Sequence, residues 1–112
     1  MKTDDIRQYL AEKPFATESF PFGPDARVFK VQNKMFALQS VYQSRDIVNL
    51  KGVPEENVSL CDIFTGIIPG YHMNKKHWIT VFVDGDVPDG ELLRLIDQSY
   101  SLVFKPPKKS QK

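Results

Sequence analysis

The stretch from residue 26 to residue 51 constrains the fold more than any other. Residues 26–32 alternate, with Phe29 and Val31 on one face and Val28 and Lys30 on the other, the period of a strand with one buried side. Gln32-Asn33 reads as a two-residue turn, because Asn tolerates the positive φ such a turn demands. A return strand is expected from residue 34 to about 42, with Phe36, Leu38 and Tyr42 turned inward. A second turn over residues 43–45 leads to a third strand, 46–51. Three antiparallel strands in succession make a meander, whose apolar face has to be covered by other elements.

Helices are expected to supply that cover. Thr3 is a candidate N-cap, with Asp4 and Asp5 complementing the helix dipole. Ile6, Tyr9 and Leu10 then fall at helical spacing before Pro14 stops the helix. Pro54-Glu55-Glu56 opens a second helix, although Val53 before it caps poorly. Its buried face should carry Val58 and Cys61 with Phe64 or Ile63. Residues 78–83 read as a fourth strand, and Leu92, Ile96, Tyr100 and Val103, widened by Leu93, mark the last helix. Between the first helix and the meander, Pro14, Pro21, Gly23 and Pro24 make a structured loop that Phe15, Phe20 and Phe22 should tack onto the core. The predicted order is α-βββ-α-β-α, an α+β domain with a single antiparallel sheet backed by helices. It occupies residues 1–112, with the proline-interrupted basic tail 105–112 expected to fray.

At 112 residues with 41% hydrophobic and 26% charged residues, the chain can bury one core without staples. The single cysteine, Cys61, cannot form an internal disulfide, and among apolar neighbours it reads as an inert thiol. No signal-peptide pattern opens the chain, and no stretch approaches the roughly 20 apolar residues of a membrane span. The expectation is a soluble, cytoplasmic monomer with no membrane association. Net charge is only +1, yet it is distributed in blocks. Residues 26–51 carry +4, 65–83 carry +2 and 98–112 carry +4, whereas 1–25, 52–64 and 84–97 carry −2, −3 and −4. A near-neutral chain can therefore present basic and acidic faces separately.

The most distinctive segment is Pro69-Gly70-Tyr71-His72-Met73-Asn74-Lys75-Lys76-His77-Trp78, which joins two histidines, two lysines, a tyrosine and the only tryptophan. Trp78 and Tyr71 are expected to anchor it to the core, leaving its polar heads displayed. Lys75 and Lys76 can meet phosphate oxygens, and Asn74, His72 and His77 can add hydrogen bonds to phosphates or base edges. Lys30, Lys34 and Lys51 on the meander can extend that surface, with Lys108 and Lys109 trailing along a backbone. The histidines are five residues apart with no carboxylate between them, so a metal site is not expected, and neither is a cofactor. No phosphate-binding glycine loop or nucleophile elbow is present, and Asp84, Asp86, Asp89 and Glu91 read as turn and capping residues. An enzyme is therefore not expected.

Several of these stretches together resemble the MmcQ/YjbR family. They are Pro21-Phe22-Gly23-Pro24, Val28-Phe29-Lys30-Val31, Lys34-Met35-Phe36-Ala37-Leu38, Leu50-Lys51 shortly before Pro54-Glu55, the whole of residues 69–78, and Ser99-Tyr100-Ser101-Leu102-Val103. The chain departs from the usual pattern at Val53, where a polar cap is common, and at Lys105-Pro106-Pro107, where Leu-Pro is more usual. The resemblance implies a YjbR-like α+β fold, grouped with secretion-chaperone-like and frataxin-like (CyaY-like) domains. It also implies DNA binding by a double-wing arrangement. The alternative is a protein-interaction or chaperone-like adaptor with a protein partner and no nucleic-acid role. A small-molecule site around Tyr71, His72 and His77 is a third possibility.

Overall fold

The alternation in residues 26–32 does become a strand. The computed structural model, which describes residues 1–106, places it second in a six-stranded sheet. The elements run α1 (Thr3–Ala11), β1 (Thr17–Ser19), β2 (Arg27–Val31), β3 (Lys34–Tyr42), β4 (Arg45–Lys51), α2 (Pro54–Ile63), β5 (Ile67–Pro69), β6 (Trp78–Phe82) and α3 (Asp89–Val103). The strand order is β1-β2-β3-β4-β6-β5, and every neighbouring pair is antiparallel. The expected α+β class holds, with two further strands at the sheet edges. Each edge strand is three residues long, too short to display a period of two. No helix among the described residues is long and apolar enough to cross a membrane.

Both meander turns form as two-residue connections with positive φ, at Gln32 (52°) and Asn33 (68°) and at Gln43 (54°) and Ser44 (61°). The helices cover one face of the sheet. Ile6 and Leu10 of α1, Leu60 of α2 and Leu92, Leu95, Ile96 and Val103 of α3 meet Phe29, Val31, Val48, Leu50, Ile79 and Val81 there. On the opposite face Val28, Ile47 and Phe82 form a smaller buried set outside that cluster.

Strict alternation would turn Phe36, Leu38 and Tyr42 to the same side, and here the structure corrects the sequence reading. Phe29 pairs with Ala37 but Lys30 pairs with Met35, so Phe36 is the extra residue of a β-bulge. Phe36 and Ala37 both reach the helix side, whereas Leu38 and Tyr42 share the opposite face with their partners Asn49 and Arg45. Pairing between β3 and β4 also stops at Ala37–Leu50, next to this bulge. There the buried Ser99 hydroxyl of α3 accepts from the Lys51 N–H (2.9 Å) and donates to the Phe36 carbonyl (2.6 Å). It stands between two backbone groups that would otherwise have been ladder partners.

Three further expectations are revised. Phe15, Phe20 and Phe22 do not bury against the core, being 79%, 44% and 72% exposed. Phe15 stacks on Phe104, and Arg27 lies over the Phe20 ring. In α2 the inward residues are Asn57 and Leu60, with Cys61 and Phe64 partly buried against the core. Val58 and Ile63 face solvent, because α2 leans on β5 and β6 at the margin of the sheet and needs only a narrow inward stripe. Thr3 is the first helical residue rather than the cap, and its hydroxyl donates to Asp46 (2.7 Å) while Asp5 accepts the Lys2 N–H (2.9 Å). The poor cap at Val53 is as expected, with no side-chain hydrogen bond there.

The acids after β6 are turn and loop fasteners. Arg45 holds Asp84 through two hydrogen bonds, of 2.7 and 2.9 Å. Asp86 accepts from the Gly66 N–H (2.7 Å), the Thr65 N–H (3.0 Å) and the Thr65 hydroxyl, tying the α2–β5 connection to the β6–α3 loop.

Removing the Ser99 hydroxyl leaves two buried backbone groups without a partner. Ser99→Ala should therefore destabilise the fold by roughly 1–3 kcal/mol in urea unfolding, and an unchanged midpoint would show that the bridge contributes nothing. The backbone N–H groups of Gly66 and Thr65 hold the Asp86 carboxyl below its ordinary pKa. A carboxylate depressed in the folded state stabilises fully above its unfolded pKa, about 3.9, and that contribution disappears as pH falls through the folded value. Asp86→Asn should accordingly flatten the acid limb of a stability–pH curve below about pH 4, measured by chemical unfolding at several pH values.

Candidate functional site

The segment from residue 69 to 78 leaves β5, passes over one end of the sheet and returns as β6. Its conformation is set by its own polar residues. Asn74 Oδ1 accepts the Lys76 and His77 N–H groups (2.9 and 3.1 Å), closing a side-chain turn. Lys75 Nζ donates to the Gly70 carbonyl (2.9 Å) across the same turn. Gly70 is buried beneath it, and a Cβ there would stand 2.8 Å from the Trp78 Cβ and 2.9 Å from the Met73 Cβ. From α2, the Asn57 amide donates to the Lys76 carbonyl (3.1 Å), and Gly52 N–H donates to the His77 carbonyl (2.9 Å).

On the helix-free face the Tyr71 N–H donates to Thr80 Oγ1 (2.8 Å), and that hydroxyl donates in turn to Asn49 Oδ1. The Tyr71 ring packs against Tyr42, at 4.0 Å between centroids, and against His72, at 4.1 Å. His72 takes a left-handed backbone (φ 58°) and is exposed. Trp78 is only half-buried and pairs with Lys51 on this face, outside the main core cluster. It anchors the segment to the sheet rather than to the core, correcting the sequence expectation.

The predicted lysines converge on one end of the sheet. Lys30 sits opposite Met35 on the helix-free face, and Lys51 lies on that face opposite Trp78. The two are separated by two strand spacings, roughly 10 Å. Lys34 stands at the β2–β3 turn of the same end, and Lys75 and Lys76 lie on the loop that feeds β6 there. Lys105 joins them, because its N–H donates to Gln32 Oε1 (2.7 Å) while the Gln32 amide donates back to its carbonyl. Sequence reading had no signal for this strap, which spans 73 residues. Lys108 and Lys109 lie outside the described residues.

The pairing of charges is uneven. All four arginines and Lys13 make ion pairs. Among the described residues, Lys30, Lys34, Lys51, Lys75, Lys76 and Lys105 make none. Glu55 and Asp62 temper this basic rim, since they share a shallow recess beside α2 with Lys75 and Lys76. Cys61 lines the same recess, where burial, with the neighbouring Asp62 carboxylate, pushes its thiol above the ordinary pKa. That is the opposite of what a nucleophilic thiol needs.

A second concavity opens on the helix-free face. It measures about 840 Å³ and lies between the loop that ends at Ala26 and the Tyr71–Met73 turn. Met35 and Leu38 form its floor, above the buried Asn49, with Phe22 on one wall and Tyr71 and His72 on the other. His77 takes no part in it. The predicted site residues thus separate. Lys30, Lys34, Lys51 and Lys76 are displayed, Lys75 and Asn74 hold the turn, and His72 belongs to the groove.

With this geometry in place, comparison with known proteins is decisive on kinship. Residues 11–102 match the YjbR family. The chain belongs to the YjbR family. It is 41% identical over 100 residues to the uncharacterized protein YbdF of Escherichia coli O157:H7, covering 89% of this chain and 82% of that protein. It is 35% identical to the uncharacterized protein YjbR of Escherichia coli K12, covering 89% and 85%. Among solved structures, a Deinococcus radiodurans protein with a DUF419 domain superposes with a TM-score of 0.84 at 42% identity, over 92% of this chain and 78% of that one. A Pseudomonas syringae protein gives 0.83 at 31% identity, over 93% and 100%. The matched span, residues 11–102, takes in the whole sheet, α2, the segment from 69 to 78 and all but the last residue of α3.

If Asn74 holds the turn, Asn74→Ala should cost about 1 kcal/mol and red-shift the emission of Trp78, the sole tryptophan. Gly70→Ala should do more, since neither neighbouring Cβ can retreat without moving backbone. Wild-type stability and emission in both variants would show that the segment does not depend on these contacts.

Proposed function

We propose that this protein is a small DNA-binding module that grips the phosphate backbone through the basic rim around Lys76, Lys51, Lys30 and Lys34. The observation that supports this reading is the gathering of six lysines without ion-pair partners, among the described residues, at one end of the sheet. Ammonium groups left unpaired keep their full capacity to displace counterions from a polyanion. The bare +1 net charge does not oppose the reading, because several of the acids are committed within the scaffold, although Glu55 and Asp62 stand beside Lys75 and Lys76. Asp84, Asp86 and Asp97 are engaged with Arg45, with the Thr65–Gly66 backbone, and with Lys13 and Tyr9.

A second reading, a protein-interaction adaptor, draws support from Val58 and Ile63, 66% and 67% exposed on α2. The two surfaces meet where Val58 shares the α2 recess with Lys75 and Lys76, and the readings separate by their dependence on salt.

Binding to a mixed-sequence oligonucleotide, offered both as duplex and as single strand, should weaken steeply with salt. Four to six phosphate contacts give a slope of roughly −4 to −5 in log affinity against log salt for a duplex. Lys51→Ala/Lys76→Ala should lower that slope by about 2, while Val58→Ser/Ile63→Ser leaves it unchanged. These variants are preferred to Lys75→Ala, which would also release the Gly70 carbonyl. Absence of salt-sensitive binding to either form would overturn the DNA reading and favour the adaptor.

A further inference from the structure

The basic rim and the apolar groove are adjacent parts of one surface, and the groove is not needed to hold a duplex backbone. Met35 is the residue they share, since it pairs with Lys30 in the rim and lies in the floor of the groove. The groove is wide open to solvent, floored by side chains of the sheet, and walled by Phe22 on one side and Tyr71 and His72 on the other. Phe22 is 72% exposed. Asp25 is the single acid among the lining residues.

Resting on the DNA-binding reading above, we propose that the strand held on this surface is single-stranded, with an unstacked base entering the groove while its phosphates lie on Lys30 and Lys51. A duplex keeps its bases stacked inside and has nothing to place between Phe22 and Tyr71. An unpaired base has two π-faces and no sequence requirement for stacking, so it matches an apolar, aromatic-walled cleft. Lys30 and Lys51, spaced by roughly 10 Å across two strand spacings, can meet phosphates on either side of that base with flexible side chains. An antiparallel sheet with helices on its back leaves its front free as a platform on which bases can be laid. Charge complementarity therefore selects a polyanion, and the groove selects the form of it whose bases are free.

Trp78 lies in the rim opposite Lys51, so its emission reports a strand arriving there without any label. Wild-type protein should bind a mixed-sequence single strand at least about tenfold more tightly than the duplex of the same sequence at equal salt, with Trp78 quenched. Phe22→Ala, at a position exposed enough to leave folding intact, should weaken single-strand binding by roughly tenfold and leave duplex affinity and the salt slope unchanged. An oligonucleotide with abasic sites should bind wild-type protein about as weakly as the normal strand binds Phe22→Ala. Equal or tighter binding of the duplex, or indifference to abasic sites and to Phe22→Ala, would overturn this inference while leaving DNA binding through the lysines intact. Failure to bind either form would remove both.

Discussion

Where β3 and β4 separate, the Ser99 hydroxyl stands between the Lys51 N–H and the Phe36 carbonyl, and much of the molecule is arranged around that point. The bulge at Phe36 turns a large aromatic side chain onto the helix side, where its ring meets Tyr100 edge-on at 5.3 Å. It also interrupts the ladder, and an interrupted ladder in a buried position needs polar partners from another element. Because α3 supplies that partner, the helix is fixed along the sheet as well as against it. Lys51 is then delivered to the helix-free face at the end where Lys30, Lys34 and Lys76 gather.

The central segment behaves as a self-bracing loop. Its side chains divide between those that shape it and those that remain available, and the division does not follow residue type. Lys75 and Lys76 are neighbours of identical chemistry, yet one donates to a carbonyl within its own turn and the other projects from a turn that Asn74 closes. Tyr71 is similarly oriented from below, by Thr80 and Asn49 on adjacent strands. These are buried polar groups whose hydrogen bonds fix position, so the aromatic wall of the groove depends on two residues with no exposed surface of consequence.

The sequence disclosed the fold class, the Gln32-Asn33 turn and the Leu92, Ile96 and Val103 positions of the last helix, because each rests on a local period or a local φ preference. The second turn is one residue shorter than expected, and Leu95 and Ser99, not Leu93, complete the buried stripe. The sequence was less informative wherever the decisive contact is distant in the chain. Strict alternation assigned Leu38 and Tyr42 to the wrong face, since a bulge adds one residue without any compositional mark. Val58 was expected inward because it is apolar, yet the position of α2 at the sheet margin makes Asn57 the buried residue and gives its amide a carbonyl to hold. The three phenylalanines of the loop after Pro14 were read as core anchors for the same reason, and they are largely exposed. The lysines of the candidate site were legible as a list. That they gather at one end follows from strand order, which periodicity does not encode, and the strap between Gln32 and Lys105 left no trace in sequence at all.

The separation of arginines from lysines has a consequence for discrimination. A guanidinium offers a planar fork that matches particular base edges two bonds at a time, whereas an ammonium on a four-carbon stem is a compact charge that adjusts to whatever oxygen is nearest. In this chain every arginine is held in an ion pair of the scaffold, and the groups left at the rim are lysines. A surface of that kind tolerates variation in the spacing and identity of what it meets. Under the proposed DNA-binding role, such a surface would hold a charged chain and be indifferent to the message that chain carries.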